Sequence, residues 1–220
     1  MGGHEVGAHQ LVQLAGFTFH LDTLKMTWLA MGIVLVLAIL ATRRLEVVPR
    51  GWQNVMEIVI EALMSQIEST IGPKGKKLAP LLITLFLFIL VSNQLGLVPG
   101  LVSPTTDLNT TLGLALMIVV MVHVLGVMNR GGAYFKHFFE PYIPFIVINL
   151  VEEIAKPATL ALRLFGNILA GEVMLMVLTL LVPWFVPVVW LGFSVFVGAV
   201  QAFVFTMLSI AYLSNSLKEH

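Results

Sequence analysis

Four stretches of this chain carry no Asp, Glu, Lys or Arg: Met26–Thr42, Leu78–Thr106, Leu108–Asn129 and Val173–Leu217. Three of them exceed the roughly 20 apolar residues with which a helix crosses the hydrocarbon of a bilayer, and the first lies near the lower limit. Lipid offers the backbone no hydrogen-bond partner, so such stretches must pair their N–H and C=O groups internally, as helices. The chain is therefore expected to be an all-α polytopic membrane protein. Of its 220 residues 58% are hydrophobic, and no separate soluble domain is expected. Cysteine is absent, which excludes disulfides and thiolate metal sites. His4, His9, His20, His123, His137 and His220 form no i,i+4 pair, so no metal site is read and no cofactor is expected. No basic region precedes an apolar core at the N-terminus, so no cleavable signal is expected. Nothing in the sequence points to nucleic acid.

In chain order, residues 1–24 read as an exposed or interfacial lead-in. Residues 24–42 read as the first spanning helix, with Trp28 at interface depth. Arg43, Arg44 and Arg50 follow, which makes that end cytoplasmic and leaves the N-terminus outside. Over residues 52–71, Glu57, Glu61 and Glu68 share one face while Val55, Val59, Ala62, Leu63 and Ile67 occupy another. That pattern suits an amphipathic helix lying along the membrane surface. Residues 78–98 and 112–128 form a spanning hairpin, joined by an outer loop without Lys or Arg, in which Asp107 or Asn109 caps the returning helix. Arg130 and Lys136 keep the next turn cytoplasmic. Residues 142–182 and 188–217 then form two long helices, ending at a cytoplasmic C-terminus. At 1.5 Å per residue the first of these reaches roughly 60 Å, twice the hydrocarbon thickness, so it must tilt, kink or protrude. Pro157 is expected to bend it. The sum is a single membrane domain of about five spanning helices and one surface helix, the last two helices long and tilted.

The segment NLVEEIAKPATLALRLFGNILAGE, Asn149–Glu172, stands apart because it puts charge deep inside an apolar helix. Arg163 lies beyond snorkelling reach of either end. Insertion of an arginine at mid-membrane costs about 3 kcal/mol or more, and arginine cannot shed its proton to escape that cost. At 100° per residue, Asn149, Glu152, Glu153, Lys156, Leu160, Arg163, Asn167 and Gly171 share a face, and Glu172 falls off it. Glu152 and Lys156 are spaced for an internal ion pair. No acid stands three or four residues from Arg163, so its counter-charge must come from elsewhere. On the last helix Ser194, Gln201, Ser209 and Tyr212 form a second polar stripe, which ordinary hydrogen bonding between helices would explain. Gly166 and Ala170, with Gly171 beside them, invite close approach of a neighbouring helix.

LALRLFGNILAGE resembles the signature of the a subunit of F-type rotary ATP synthases, the membrane stator that guides ions onto and off a rotating c-ring. GAVQAFVFTMLSIAYLSNSL is similar to that family's last helix, and NQLGLVPG and SPTTDLN resemble further family segments. The resemblance implies that Arg163 is the essential arginine facing the ring's carboxylate, and that Asn167, Glu172 and Gln201 are its polar neighbours in ion transfer. It implies the c-ring and b-type peripheral stalk subunits as partners within the lipid bilayer, and a bacterial plasma membrane as location. Glu172 and Asp107 are assigned to an outer half-channel and Glu152 and Glu153 to an inner one. Two departures stand out. Ser194 occupies a place where some relatives carry histidine, and Gly96 one where some carry an acid. No GxxxxGK[ST] loop is present, so ATP chemistry is expected in a separate soluble sector. The competing reading is a secondary transporter that binds an anionic solute at Arg163; that class commonly shows repeated halves, and no internal repeat is found here.

Overall fold

The computed structural model describes residues 11–14, 17–43, 46–98, 100–131, 145–182 and 184–217. His4, His9, Arg44, Lys136, His137, Tyr142 and His220, on which the sequence reading drew, lie outside the described residues. Among those described, the apolar runs are helical: α1 Leu21–Thr42, α2 Trp52–Ile71, α3 Ala79–Leu95, α4 Leu108–Arg130, α5 Phe145–Leu181 and α6 Val186–Leu217. Four of them, α1, α4, α5 and α6, are long and apolar enough to cross a membrane. The chain is a polytopic α-helical membrane protein.

One element departs from the expected lead-in. β1 (Leu11–Leu14) and β2 (Phe17–His20) pair antiparallel, with Leu11 opposite His20 and Leu14 opposite Phe17. Each short run has the β-branched and aromatic content of a strand, and a two-residue link suits a hairpin. Pairing gives partners to backbone groups of the two strands themselves. β2 leads directly into α1.

The helix α3 has 17 residues, about 25 Å, short of a full hydrocarbon span. Its end contacts nevertheless place it across the bundle. Its start abuts the turn bearing Lys76 and Lys77, and near its other end Asn93 bonds Thr105 in the loop that leads into α4. A one-turn helix on each side, Pro73–Lys77 and Pro104–Thr106, supplies the missing length. The core forms where α3, α4, α5 and α6 meet, through Leu82, Leu85, Ile89, Ile118, Leu160, Leu164, Phe205 and Leu213. Ala115, Ala161 and Ala202, each fully buried, let the backbones approach closely, which is how helices gain packing energy where lipid already satisfies apolar groups.

The helix α2 turns out to have three faces. Glu57, Glu61 and Glu68 are exposed together, as the sequence implied. The side packed on the protein is Gln53, Met56, Leu63 and Ile67, whereas Val55 and Ile58 remain exposed. One apolar side thus meets the bundle and another stays uncovered among the described residues. Ser214 of α6 donates to the Thr70 carbonyl at 2.8 Å and fixes this helix against the last one.

The 37-residue α5 runs through Pro157 without interruption. At about 55 Å it exceeds the hydrocarbon thickness. It and α6 each leave one apolar face uncovered, including Val147, Val151, Ile154 and Leu162 on α5 and Phe193, Phe196, Val200 and Phe203 on α6.

Candidate functional site

Arg163 stands midway along α5, between a buried face formed by Leu160, Ala161 and Leu164 and the exposed Leu162. Its side chain is exposed on the chain taken alone. Among the described residues no carboxylate lies within ion-pair distance of it, although Lys156, two turns away, has two acids. The small residues nearby, Gly166 and Gly171, are half-buried. A Cβ built on Gly166 or Gly171 would meet nothing within 4 Å among the described residues, so no neighbouring side chain fills that space.

Beyond Arg163, toward the hairpin end, α3, α5 and α6 enclose a cavity of about 420 Å³. Asn93, Gly96, Asn167, Glu172, Trp190 and Ser194 are among the residues lining it. It therefore brings together Asn167 and Glu172, both expected from the sequence, with the two positions flagged as departures, Gly96 and Ser194. The Glu172 carboxylate fits into a slot that exists because residue 96 has no side chain. A Cβ at Gly96 would lie 2.7 Å from Glu172 Oε1 and 2.7 Å from Ser103 Cβ. The Ser103 backbone N–H faces the same carboxylate, yet Oε1 is buried and has no protein hydrogen-bond partner.

The wall of the cavity is held by a polar network. The Asn93 amide donates to the Gly198 carbonyl at 3.0 Å and accepts from the Thr105 hydroxyl at 2.8 Å. Gln94 donates to the Val195 carbonyl at 3.0 Å. These two bonds seize carbonyls one turn apart on α6 and set its register against α3. Trp190 donates its indole N–H to the Gly171 carbonyl at 3.1 Å, which ties α6 to α5 beside Glu172. Gln201, one turn past Gly198, is buried, and its Nε2 lacks a protein partner. It does not line the cavity.

On the other side of Arg163 the expected acids divide. Lys156 pairs with Glu153 Oε1 at 2.6 Å and with Glu152 Oε1 at 3.3 Å. Glu152 is 64% exposed and Glu153 only 17%. The spacing accounts for this: Glu153 lies about 80° around the helix from Arg163, toward the buried side, while Glu152 lies within about 20° of it. Glu153 thus turns toward α4, where His123 waits at 3.7 Å.

Asp107 has a different occupation. It caps α4 by accepting from the Asn109 N–H at 2.9 Å, and its other oxygen meets His20 Nδ1 at 2.6 Å and the Thr23 hydroxyl at 2.8 Å. Burial alone would raise this carboxyl, but the bonds from Asn109, Thr23 and His20 together outweigh it and hold the group below its ordinary value. Asp107 clasps the hairpin and the start of α1 to the start of α4, and it is not among the residues lining the cavity. Sequence reasoning gave no site role to Asn93, Trp190 or His123, although Asn93 opens the NQLGLVPG segment; a polar group within a spanning helix was the available signal for Asn93 and His123.

Fold and site define a polytopic membrane protein built around a long apolar helix that displays a guanidinium with no acid partner among the described residues, one turn from a largely apolar cavity that holds Asn167 and Glu172. Comparison with known proteins agrees in detail. Residues 24–214 match the family model for the ATP synthase A chain. Over 213 residues the chain is 46% identical to ATP synthase subunit a of Desulforamulus reducens, covering 92% of this chain and 81% of that protein. It is 40% identical over 202 residues to the corresponding subunit of Geobacter sulfurreducens, with 90% and 88% covered. With that of Moorella thermoacetica it shares 39% over 201 residues, with 90% and 92% covered. The chain belongs to the ATP synthase A chain family, the membrane-sector a subunits of F-type ATP synthases.

Proposed function

We propose that this chain is the stator that passes protons through two aqueous half-channels, to and from a carboxylate on the rotating c-ring, and so couples the ion gradient to rotation. It carries no ATP chemistry of its own. The observation that carries the reading is Arg163, exposed and without an acid of its own chain among the described residues. A ring carboxylate in lipid stays neutral because desolvation penalises the anion. Brought beside a fixed guanidinium it is stabilised as the anion and releases its proton, and it must be reprotonated before it returns to lipid. A guanidinium between two pockets thus separates loading from release, and it repels cations that would otherwise leak straight across.

The cavity holding Asn167 and Glu172 suits the outer half-channel, and Glu152 and Glu153 suit the inner one. Gln201 is the polar neighbour of the arginine on the facing helix. Asp107 acts at the outer end as the clasp that keeps the cavity's loop in place. The space beside Gly166 and Gly171 and the uncovered faces of α5 and α6 leave room for a ring to pass, and the uncovered sides of α1 and α2 suit b-type stalk helices and lipid. The excess of Arg43, Arg50, Lys76 and Lys77 at one end puts that end, with the C-terminus, in the bacterial cytoplasm.

The test is ATP-driven acidification of inverted membranes carrying the assembled enzyme. Arg163→Ala is expected to assemble and to abolish pumping. Arg163→Lys is expected to impair it severely, because a compact ammonium lacks the planar fork that meets a carboxylate. Native pumping by assembled Arg163→Ala would refute the reading.

A further inference from the structure

The cavity beside Glu172 has the build of a small-molecule site. Its volume of about 420 Å³ falls within the range of pockets that take drug-sized ligands, about 300–1,000 Å³. Such pockets are mostly apolar with a few fixed polar groups. Here Leu97, Ile168 and Met174 supply apolar wall, while Asn167, Ser194 and the Glu172 carboxylate supply the polar points. Trp190 and Phe193 of α6 add an aromatic side, with ring centroids 5.4 Å apart and planes tilted by 45°. The Trp190 ring is anchored, since its N–H donates to the Gly171 carbonyl at 3.1 Å.

The chemistry of the walls selects the charge of an occupant. Among the described residues no Lys, Arg or His lies within ion-pair distance of Glu172. The Ser103 backbone N–H faces its carboxylate, and Oε1 keeps no protein hydrogen-bond partner. A carboxylate in apolar surroundings gains from an opposite charge brought beside it, and aromatic faces attract cations as well. Both features ask for a positive ligand, and the apolar wall asks for an apolar body. A hard metal ion does not fit. It takes about six oxygen ligands or more, and this lining offers one carboxylate and a few neutral polar groups among apolar side chains. The space itself depends on small residues. A side chain at Gly96 would press on the carboxylate, and a larger one at Ser194 would enter the cavity.

We propose that this cavity binds a small lipophilic organic cation, an aromatic body carrying a primary ammonium, with the ammonium on the Glu172 carboxylate and the ring against Trp190 and Phe193. Binding itself needs only the geometry of the cavity. Its consequence rests on the stator reading given above: an occupant ties up the acid of the outer half-channel, so the ring cannot be loaded from that side and rotation stalls.

The probe is tryptamine, with tryptophol as a neutral twin of the same shape. Binding is measured by calorimetry on the assembled enzyme in nanodiscs, with empty nanodiscs as the reference for partition into lipid. ATP hydrolysis by the same nanodiscs is followed alongside. A nanodisc encloses no lumen, so a weak base cannot act there by collapsing a gradient. Tryptamine is expected to bind saturably and to slow hydrolysis, and tryptophol to bind about tenfold more weakly or less, because it lacks the charge-assisted bond. Glu172→Gln keeps the shape of the cavity and removes its charge, and Ser194→His fills it. Each is expected to weaken tryptamine by about tenfold or more while the c-ring still co-purifies. Equal affinity for the two probes on the native enzyme would overturn the site, and this comparison needs no variant to fold. So would binding that never saturates, or binding left unchanged by both variants, which would place tryptamine in lipid or elsewhere on the enzyme. If tryptamine binds as expected yet hydrolysis stays native, the site stands and the half-channel role of the cavity fails. If tryptamine does not bind while Arg163→Ala abolishes pumping, the site fails and the stator reading stands.

Discussion

Gly96 offers the sharpest test of how the cavity is built. Its φ of −66° is open to any residue, so Gly96→Ala would cost nothing in backbone strain and its effect would be steric alone. The new methyl would lie 2.7 Å from both Glu172 Oε1 and Ser103 Cβ, and 3.3 Å from the Ser103 nitrogen. One side must yield. Ser103 cannot do so easily: its hydroxyl donates to the Ser92 carbonyl at 2.8 Å and meets the Thr105 hydroxyl at 2.7 Å, and its carbonyl accepts from Thr106 at 2.6 Å. The carboxylate is the movable partner and leaves its slot. Overpacking of this kind costs about 1–3 kcal/mol. Expressed as occupancy of the slot, that is roughly fivefold to over a hundredfold. Passive proton flux through the stripped membrane sector should fall within that range, while assembly, measured by co-purification of the c-ring, stays near native. Adding Glu172→Asp shortens the acid by one methylene and should recover part of the flux in the Gly96→Ala background, although it weakens flux in the native one. Native flux in assembled Gly96→Ala would show that the carboxylate position seen here has no part in conduction.

Two further outcomes follow from the same geometry. The Asp107 carboxyl is held below its ordinary value of 3.8 in the folded chain, so the unfolded chain binds that proton more readily. The clasp's contribution is therefore complete above about pH 4 and is lost as pH falls through the lower folded value. Nitroxide labels at Thr18 and Asn109, in nanodiscs, should report a fixed separation at neutral pH that broadens only in strong acid. Asp107→Asn caps a helix equally well but lacks the charge, and should broaden the separation at neutral pH. Trp190→Phe keeps an aromatic ring and deletes the donor to the Gly171 carbonyl; a loss of about 0.5–1.5 kcal/mol is expected, read as a lower melting temperature of the purified complex.

What the sequence made legible follows from where its information is redundant. Uncharged runs of 20 residues or more leave only one backbone solution in lipid, so the helices stand where hydropathy puts them. Arg163 was equally plain, since a permanent charge deep in an apolar helix has few explanations. Long-range pairing is another matter. Asn93 meets Thr105 and Gly198, and His123 meets Glu153, through the packing of separate helices, and no local pattern specifies which helices touch. The faces of α2 were legible only in part, for a related reason. A helix at a membrane surface can leave Val55 and Ile58 uncovered, because apolar exposure carries no penalty toward lipid, so the moment alone does not reveal which apolar side meets protein. The hairpin before α1 escaped notice because two four-residue strands lie below the length at which alternation is readable.

The distribution of unsatisfied polar atoms links these observations to the proposed path. Most buried polar side chains here have partners: Ser103, Thr105 and Asn93 bond one another, Ser214 and Ser216 reach carbonyls of neighbouring helices, and Thr206 and Ser209 bond their own helix. Among the described residues, the buried side-chain atoms without a protein partner are Ser92 Oγ, Glu153 Oε2, Glu172 Oε1 and Gln201 Nε2. Three of these four belong to residues that the sequence had already assigned to ion transfer. Each would cost about 1–3 kcal/mol if it stayed dry, and more for a charged group. Ser92 apart, the buried structural hydroxyls named here are satisfied, so packing gives no reason to leave the Glu153, Glu172 and Gln201 atoms open. The simplest account is that water or a moving proton serves them in turn, which predicts that aqueous access reaches Glu172 from one membrane face and Glu153 from the other. Thiol-reactive probes applied from each side to Glu172→Cys and Glu153→Cys, in assembled enzyme, should label with opposite sidedness. Labelling of both from the same side would break the two-channel arrangement while leaving the fold untouched.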